Sequence, residues 1–558
     1  MFRLARTSRR TGIPLAEVAG AERERRIVHR RSLLGAAAAG LALPLLPGCE
    51  TDGPVVDTPE PDPTLPTVAI IGAGIAGLHC AYRLSQIGIR ATVYEASKRL
   101  GGRMFSDVAT FAPMHCEMGG EFIDTPHETM QGLATELGIE LRDFALDDPE
   151  LAPIFHFGGK VLTEAEILEG FAPIAKKIDE DLGTLIDQED PFVYYDKPNG
   201  GEALNALSLA AWLDKGGFSG PVRDLVEIAY TREFGVEPDK LNCLNMMVLI
   251  STDTEEFSVF GVSDERFNAS GGNEIFIQRL AQTLDADQIQ MGVAMEAIRE
   301  EADGRYTVSL LRSGTPEEIT VDHVVLALPF FKLRDLQVDL PLPDPQKLAI
   351  QEIGYGKNTK LMCGFGSRPW RDFGGNGEIF TDRPFQAGWD TSRLQAGDAG
   401  IFTNYLGGNR AVEVGKGTPF SRMTEFLDDV DGVIEGMKAA TNGLVQRATW
   451  DISYSCYLVG HYTKFTGSES IPYNGVHFCG EHTSLDYQGW MEGGAVTGVR
   501  AAAEIAEAAG LGGSIAYSLK SKPKEMWGPS ERIWYRGNLL RHTRRIRPAR
   551  ARIVRPIF

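Results

Sequence analysis

A chain of 558 residues with 43% apolar content is long enough for two to four domains and apolar enough to fill large cores. Its net charge of −20 is unevenly spread: residues 1–48 carry +6, residues 518–558 carry +10, and the body between them is left at −36. So acidic a body excludes nucleic acid as its partner, and seven cysteines without a C-x-x-C spacing give zinc and dithiol motifs no support.

The basic N-terminal stretch ends in Arg30-Arg31 and is followed by an uncharged apolar run from Leu33 to Pro47. That run is shorter than the about twenty apolar residues a bilayer crossing needs. Residues 1–48 therefore read as a signal segment, the paired arginines marking a twin-arginine export signal. Leu46-Pro47-Gly48-Cys49 resembles a lipobox, in which Cys49 is lipidated and tethers the mature chain to a membrane; ordinary cleavage nearby and an uncleaved anchor are the alternatives. Residues 49–66, with five prolines among acids and threonines, have almost nothing to bury and read as a disordered linker.

The body opens on Val68-Ala69-Ile70-Ile71, a buried-strand pattern that ends in Gly72-Ala73-Gly74-Ile75-Ala76-Gly77. A helical pattern follows (Leu78, Ala81, Leu84, Ile87), then a second strand, Ala91-Thr92-Val93-Tyr94-Glu95, ending in an acid before Ala96. Together they predict a dinucleotide-binding fold. Gly72 allows the tight turn, Gly74 lets backbone approach a pyrophosphate, Gly77 lets helix and strand pack, and the helix N-terminus offers free N–H groups to the phosphates. Glu95 falls where an acid accepts from ribose hydroxyls. Gly101-Gly102-Arg103 and Met118-Gly119-Gly120-Glu121 bring further backbone up to a long ligand, with Arg103 a fixed charge for its diphosphate.

From Glu128 to Gly261 the pattern turns helical, with Met130, Leu133 and Leu137 and then Ala203 through Leu213 spaced for amphipathic helices. Strand-like chemistry returns at residues 265–273, ahead of a helix from Ile275 to Leu284, and residues 321–329 read as a buried parallel strand closed by Pro329. Residues 346–453 read as the sheet of a second domain. Near the far end stand Phe478-Cys479-Gly480-Glu481-His482-Thr483 and then Gly489-Trp490-Met491-Glu492-Gly493-Gly494, which opens a helix.

These ordered blocks resemble the flavin-containing amine oxidase family of monoamine, polyamine and L-amino-acid oxidases, over about Thr67 to Ala509. The resemblance implies an α/β fold in which a Rossmann-like FAD-binding domain (67–125, 262–345 and 454–512) is interleaved with an α+β substrate domain (126–261 and 346–453), before a basic tail (513–558). It implies FAD held by Gly72, Gly74, Ile75, Ala76, Gly77, Glu95, Ala96, Gly102, Arg103, Met118, Gly119, Gly120, Glu121, Met295 (through backbone, at adenine), Gly480, Glu481, Trp490 and Met491. The helix at Met491 would aim its N-terminus at the flavin N1/C2 carbonyl region. A family lysine bonded through water to flavin N5 falls on Lys360, with Lys357 its rival. Trp490 and Tyr457 fall on the two walls of an aromatic cage. Cys456 falls near a cysteine that monoamine oxidases join covalently to their flavin; non-covalent FAD is the first expectation and a Cys456 link the second.

The expected reaction converts an amine or an L-amino acid to an imine, with O2 leaving as hydrogen peroxide. The flavin supplies the electron chemistry and the protein supplies orientation and electrostatics. No nucleophile motif and no metal cluster is seen. Rival readings are a same-fold desaturase or protoporphyrinogen-type oxidase, and a non-catalytic flavin-binding protein. L-amino-acid oxidases of the best-known type carry an arginine after the second glycine pair, where this chain has Glu121; Arg371, Arg383 and Arg410 are the candidates for a carboxylate clamp from elsewhere. The oligomeric state is open, a dimer being one arrangement.

Overall fold

The structure, a computed structural model, describes residues 64–512 except residue 189. The expected signal segment, Cys49, most of the linker and the basic tail lie outside the described residues.

Val68–Ile71 is buried at all four positions and forms the middle of a five-stranded parallel sheet. A continuous apolar run suits a strand covered on both faces. His323–Leu326 and then Val476–Phe478 lie to one side of it, Ala91–Glu95 and then Ile289–Met291 to the other. This sheet draws its strands from widely separated segments of the chain.

The helix Ile75–Ser85 starts at Gly74 and packs directly on the sheet. A Cβ on Gly77 would stand 2.0 Å from the Gly72 carbonyl oxygen, so only glycine permits this approach. The helix Met491–Ala508 crosses it near its start: a Cβ on Gly494 would meet Ile75 at 2.7 Å, and one on Gly498 would meet the Ala76 carbonyl at 2.3 Å. Glycines four apart share one helix face, which lets the two backbones touch.

A four-stranded sheet (Thr315–Val321, Tyr306–Arg312, Val293–Glu300, Gln337–Asp339) lies elsewhere in the chain, and its ladder shifts register between Met295 and Ala297. Met295 itself is buried.

The third sheet has seven strands, in the order Thr441–Trp450, Asn358–Phe365, Gly400–Gly407, Ala387–Asp390, Gly375–Thr381, Ala152–Phe157 and Lys160–Val161. The strand Ala152–Phe157 corrects the helical reading of the region 128–261. All six of its residues are buried, and it pairs in parallel with Gly375–Thr381. Its unbroken burial leaves no alternation for a sequence pattern to reveal.

Register sorts this sheet into two faces. Ile154, Leu361, Cys363, Phe365, Ile379 and Phe402 pack under the helix Pro419–Val430 through Met423, Phe426, Leu427 and Val430. On the other face Ala448, Lys360, Tyr405, Ala387, Phe380 and Phe155 form one row across six strands. Two-residue periodicity sets Trp389 and Glu378 beside that row.

Candidate active site

At the nucleotide end Gly72 has φ +110°, which only glycine adopts without strain, and its turn is fixed by Glu95. The Glu95 carboxylate accepts from the backbone N–H of Ala73 at 3.0 Å and of Ser97 at 2.8 Å. Gly74, the helix cap, has no atom within 4 Å of where its Cβ would stand, so the space above it is open. Gly102 approaches the same spot: a Cβ there would lie 3.9 Å from the Gly74 Cα. Ile75 and Ala76 are buried and Ala96 is exposed. The first turns of the helices starting at Ile75 and Met491 touch, which sets two positive dipole ends side by side. That placement is costly alone and favourable around an anion. These residues fit the diphosphate of FAD.

The remaining motifs close around that point. A Cβ on Gly119 would strike the Arg103 carbonyl oxygen at 1.9 Å, and one on Gly120 would meet the Met491 side chain at 2.9 Å. Met118 is buried, and its carbonyl accepts from Trp450 Nε1 at 2.8 Å. Arg103 Nη1 donates to Glu481 Oε1 and to the Ser453 carbonyl, both at 2.7 Å. Glu481 Oε2 accepts from Ser455 Oγ at 2.8 Å and from the Gly489 N–H at 2.9 Å, tying the residue after Gly480 to the entrance of the last helix. Burial would raise the Glu481 carboxyl, but Arg103 and these donors hold it below its ordinary range. His482 turns away and packs edge-on to Phe330 at 4.4 Å. Among the described residues neither of its ring nitrogens has a hydrogen-bond partner, and burial lowers its pKa to about 3.

Lys360 is buried, and its ammonium reaches the second glycine pair. It donates to Glu121 Oε2 at 2.7 Å, to the Gly119 carbonyl at 2.7 Å and to the Glu117 carbonyl at 3.3 Å. Trp389 Nε1 donates to Glu121 Oε1 at 2.8 Å, and Thr391 Oγ1 adds a bond at 3.2 Å. The rings of Trp389 and Tyr405 lie 5.3 and 5.9 Å from the Lys360 ammonium. Lys357 is exposed.

Trp490 caps the helix Met491–Ala508 and meets the His127 ring edge-on at 6.1 Å. The second cage wall needs correction. The Tyr457 hydroxyl bonds Glu469 at 3.0 Å and its ring packs on Tyr462 at 4.7 Å, in the apolar core. Tyr454 stands near Trp490 instead: a Cβ on Gly489 would touch its ring at 3.2 Å, and its hydroxyl lies 3.4 Å from that of Tyr405. Cys456 is fully buried, and burial raises its thiol far above the ordinary value.

Sequence reasoning misses the charged end of this region. Arg232, in the last turn of the helix Pro221–Phe234, is 1% exposed and lies over Phe260, Phe380, Trp389 and Tyr405 at 5.0, 4.7, 5.6 and 5.7 Å. Glu265 lies 3.9 Å from its guanidinium. Burial raises the carboxyls of Glu233, Glu265 and Glu378, with Arg232 opposing it in each case. Asp124 accepts from the Glu265 N–H at 2.9 Å and is raised to about 7 by burial. The three arginines considered from sequence are engaged elsewhere: Arg371 with Asp147 at 2.8 Å, Arg383 with Asp429 at 2.6 Å and Arg410 with Glu413 at 2.7 Å. Among the described residues no His, Cys, Asp and Glu group could hold a metal ion, and no helix is long and apolar enough to cross a membrane.

Comparison with known proteins gives a consistent picture. A family model described as flavin containing amine oxidoreductase matches residues 75–506. An L-amino-acid oxidase of Siganus canaliculatus is 24% identical over 468 residues, covering 78% of this chain and 85% of the fish protein. Polyamine oxidase 7 of Oryza sativa subsp. japonica is 26% identical over 467 residues, covering 78% and 94%. Among solved structures, wild-type putrescine oxidase bound to putrescine superposes with a TM-score of 0.67 at 18% identity, covering 79% of this chain and 99% of that one. Cyclohexylamine oxidase from Brevibacterium oxydans IH-35A does so with a TM-score of 0.67 at 22% identity and the same coverage.

Proposed function

The chain belongs to the flavin-containing amine oxidoreductases, and from that premise we propose that it is an FAD-dependent oxidase that converts an amine or an L-amino acid to an imine and releases hydrogen peroxide. The observation that carries this reading is the buried Lys360 ammonium, held against Gly119 and Glu121 between the glycine motifs and the aromatic face of the seven-stranded sheet.

When bound, FAD accepts the two electrons of the substrate and passes them to O2. The residues at Gly74, Glu95, Arg103 and Glu481 bind and align it, as the open space at Gly74 and the two convergent helix ends support. Tyr454, Tyr405 and Trp490 offer flat walls that confine a neutral amine and exclude water. Lys360 and Glu121 place a buried ion pair beside the glycine motifs, and the ammonium is the member that favours negative charge developing beside it. Non-covalent binding is supported by the Cys456 thiol, which burial keeps protonated and therefore poorly nucleophilic. We assign residues 67–125, 262–345 and 454–512 to the FAD half and 126–261 and 346–453 to the substrate half. Export by the twin-arginine route and tethering through Cys49 complete the reading.

The test is purified holoprotein with a panel of amines and amino acids, read as anaerobic loss of flavin absorbance and as peroxide in air. Bleaching with peroxide release supports the oxidase; a flavin that no member of the panel bleaches overturns it.

A further inference from the structure

Arg232 is a buried arginine with an unsatisfied Nε among the described residues. Its side chain is 2% exposed, and Nε has no hydrogen-bond partner among the described residues. The nearest acid, Glu265, stands 3.9 Å away, beyond hydrogen-bond reach. Four aromatic rings lie within 6 Å of it, and they can attract a guanidinium but cannot accept its N–H bonds in the plane of the fork. Leaving such a group unsatisfied is expensive, so the position makes sense when an acceptor arrives with a ligand.

Its place relative to the cage tells which ligand. Tyr405 lies under Arg232 and shares its hydroxyl contact with Tyr454, which in turn packs against Gly489, the neighbour of Trp490. Arg232 and Trp490 thus flank one tyrosine pair from opposite ends. A planar guanidinium fork matches a carboxylate, whereas a simple amine offers it nothing.

We propose that Arg232 is a specificity-determining residue that binds the carboxylate of the substrate, so that the molecule oxidised is an α-amino acid or a similarly carboxylated amine. This rests on the oxidase reading above. Glu265 is held in place by unusual means: its φ is +44° and its N–H is bonded to Asp124. Glu233, Glu265 and Glu378 lie within electrostatic reach of the guanidinium, and none of them bonds it. Because burial holds all three above the ordinary carboxylate range, the repulsion met by an incoming carboxylate is reduced.

The experiment uses holoenzyme and matched pairs that differ only in the carboxylate: L-lysine with cadaverine, L-phenylalanine with 2-phenylethylamine, L-leucine with 3-methylbutylamine. The amino acid should bleach the flavin with a kcat/KM about a hundredfold above its amine in at least one pair, and Arg232→Met should remove that preference mainly through KM. Benzoate against benzamide, titrated by flavin absorbance without turnover, gives an independent readout: benzoate should bind the wild type and lose about a hundredfold in Arg232→Met, with Arg232→Lys between them. Preference for the amine in every pair overturns the proposal, as does benzoate binding that Arg232→Met leaves unchanged. Should Arg232→Met not fold, the wild-type pair preference and the benzoate and benzamide comparison still decide. If no pair bleaches the flavin yet benzoate binds through Arg232, the oxidase reading falls and the carboxylate site stands.

Discussion

The Lys360 ammonium and the Glu121 carboxylate form an ion pair at 2.7 Å, with side chains only 7% and 3% exposed. Lys360 belongs to the strand Asn358–Phe365 and Glu121 follows the second glycine pair, so the ion pair also joins those two segments.

Removing one partner strands the other. Lys360→Met should cost about 3–5 kcal/mol of stability, because Glu121 is left as a buried charge. Lys360→Met with Glu121→Gln should recover part of that loss. In stopped flow both should slow the reaction with O2 more than flavin reduction by substrate. Wild-type rates in both half-reactions would show that Lys360 does not face the flavin.

Gly74→Ala and Gly77→Ala should fail differently. The backbone at Gly74 is ordinary, φ −78° and ψ −178°, and its Cβ position is empty, so Gly74→Ala should fold with normal stability yet emerge colourless. Gly77→Ala forces a methyl to 2.0 Å from the Gly72 oxygen and should lose about 3 kcal/mol or more. Full flavin occupancy in Gly74→Ala would rule out the phosphate position.

The corrected cage yields a third test. Tyr454→Ala should raise KM or slow flavin reduction while leaving FAD bound. Tyr457→Phe should leave kcat/KM near wild type and cost about 1–3 kcal/mol, since buried Glu469 loses a donor. The reverse pattern would restore Tyr457 to the site.

His482 gives a pH dependence of definite sign. Its folded pKa of about 3 lies below the about 6.5 of an unfolded histidine. Above pH 6.5 neither state binds the proton; below it the unfolded state does and the folded state does not. Stability from this residue is therefore lost as pH falls from about 6.5 towards 3, by about 1.4 kcal/mol per unit. Glu117 and Glu469, raised to about 7 by burial, act oppositely as pH falls below 7. Hence the measurement is the difference between wild type and His482→Phe in denaturant titrations from pH 7 to 4, where the variant should lose less stability.

Cys49→Ser should move the enzyme from the membrane fraction to the soluble fraction with an unchanged flavin spectrum, because stable anchoring needs the acyl chains a lipidated cysteine carries. Sedimentation with membranes in low and high salt alike would point to an uncleaved apolar segment instead.

The strand, turn, helix and strand that hold Gly72, Gly74, Gly77 and Glu95 were legible because they are contiguous, so that spacing and geometry coincide. The resemblance singled out Lys360, which the structure buries, but its partner was not legible: Glu121 meets it only through the fold. Arg232 was hidden because an arginine beside a glutamate in a helix's last turn reads as a solvated end, and the rings that enclose it come from three distant segments. Tyr457 was misassigned because a short strand, Ser455–Cys456, separates it from Tyr454, and sequence alone does not say which tyrosine turns inward.

The helix crossing at Gly494 and Gly498 also sets an order of events. The helix Ile75–Ser85 is among the first parts of the described body to be synthesised, and the helix that covers it is the last. Until Met491–Ala508 exists, the early helix lacks the helix that packs on its first turn at Ile75 and Ala76. A nascent chain that has only its first strand, turn and helix therefore lacks the second of the two helix ends that the proposed FAD site uses. On the phosphate placement proposed above, capture of the flavin is a finishing step, and C-terminal truncation before Gly494 should abolish it while leaving the entire glycine loop intact.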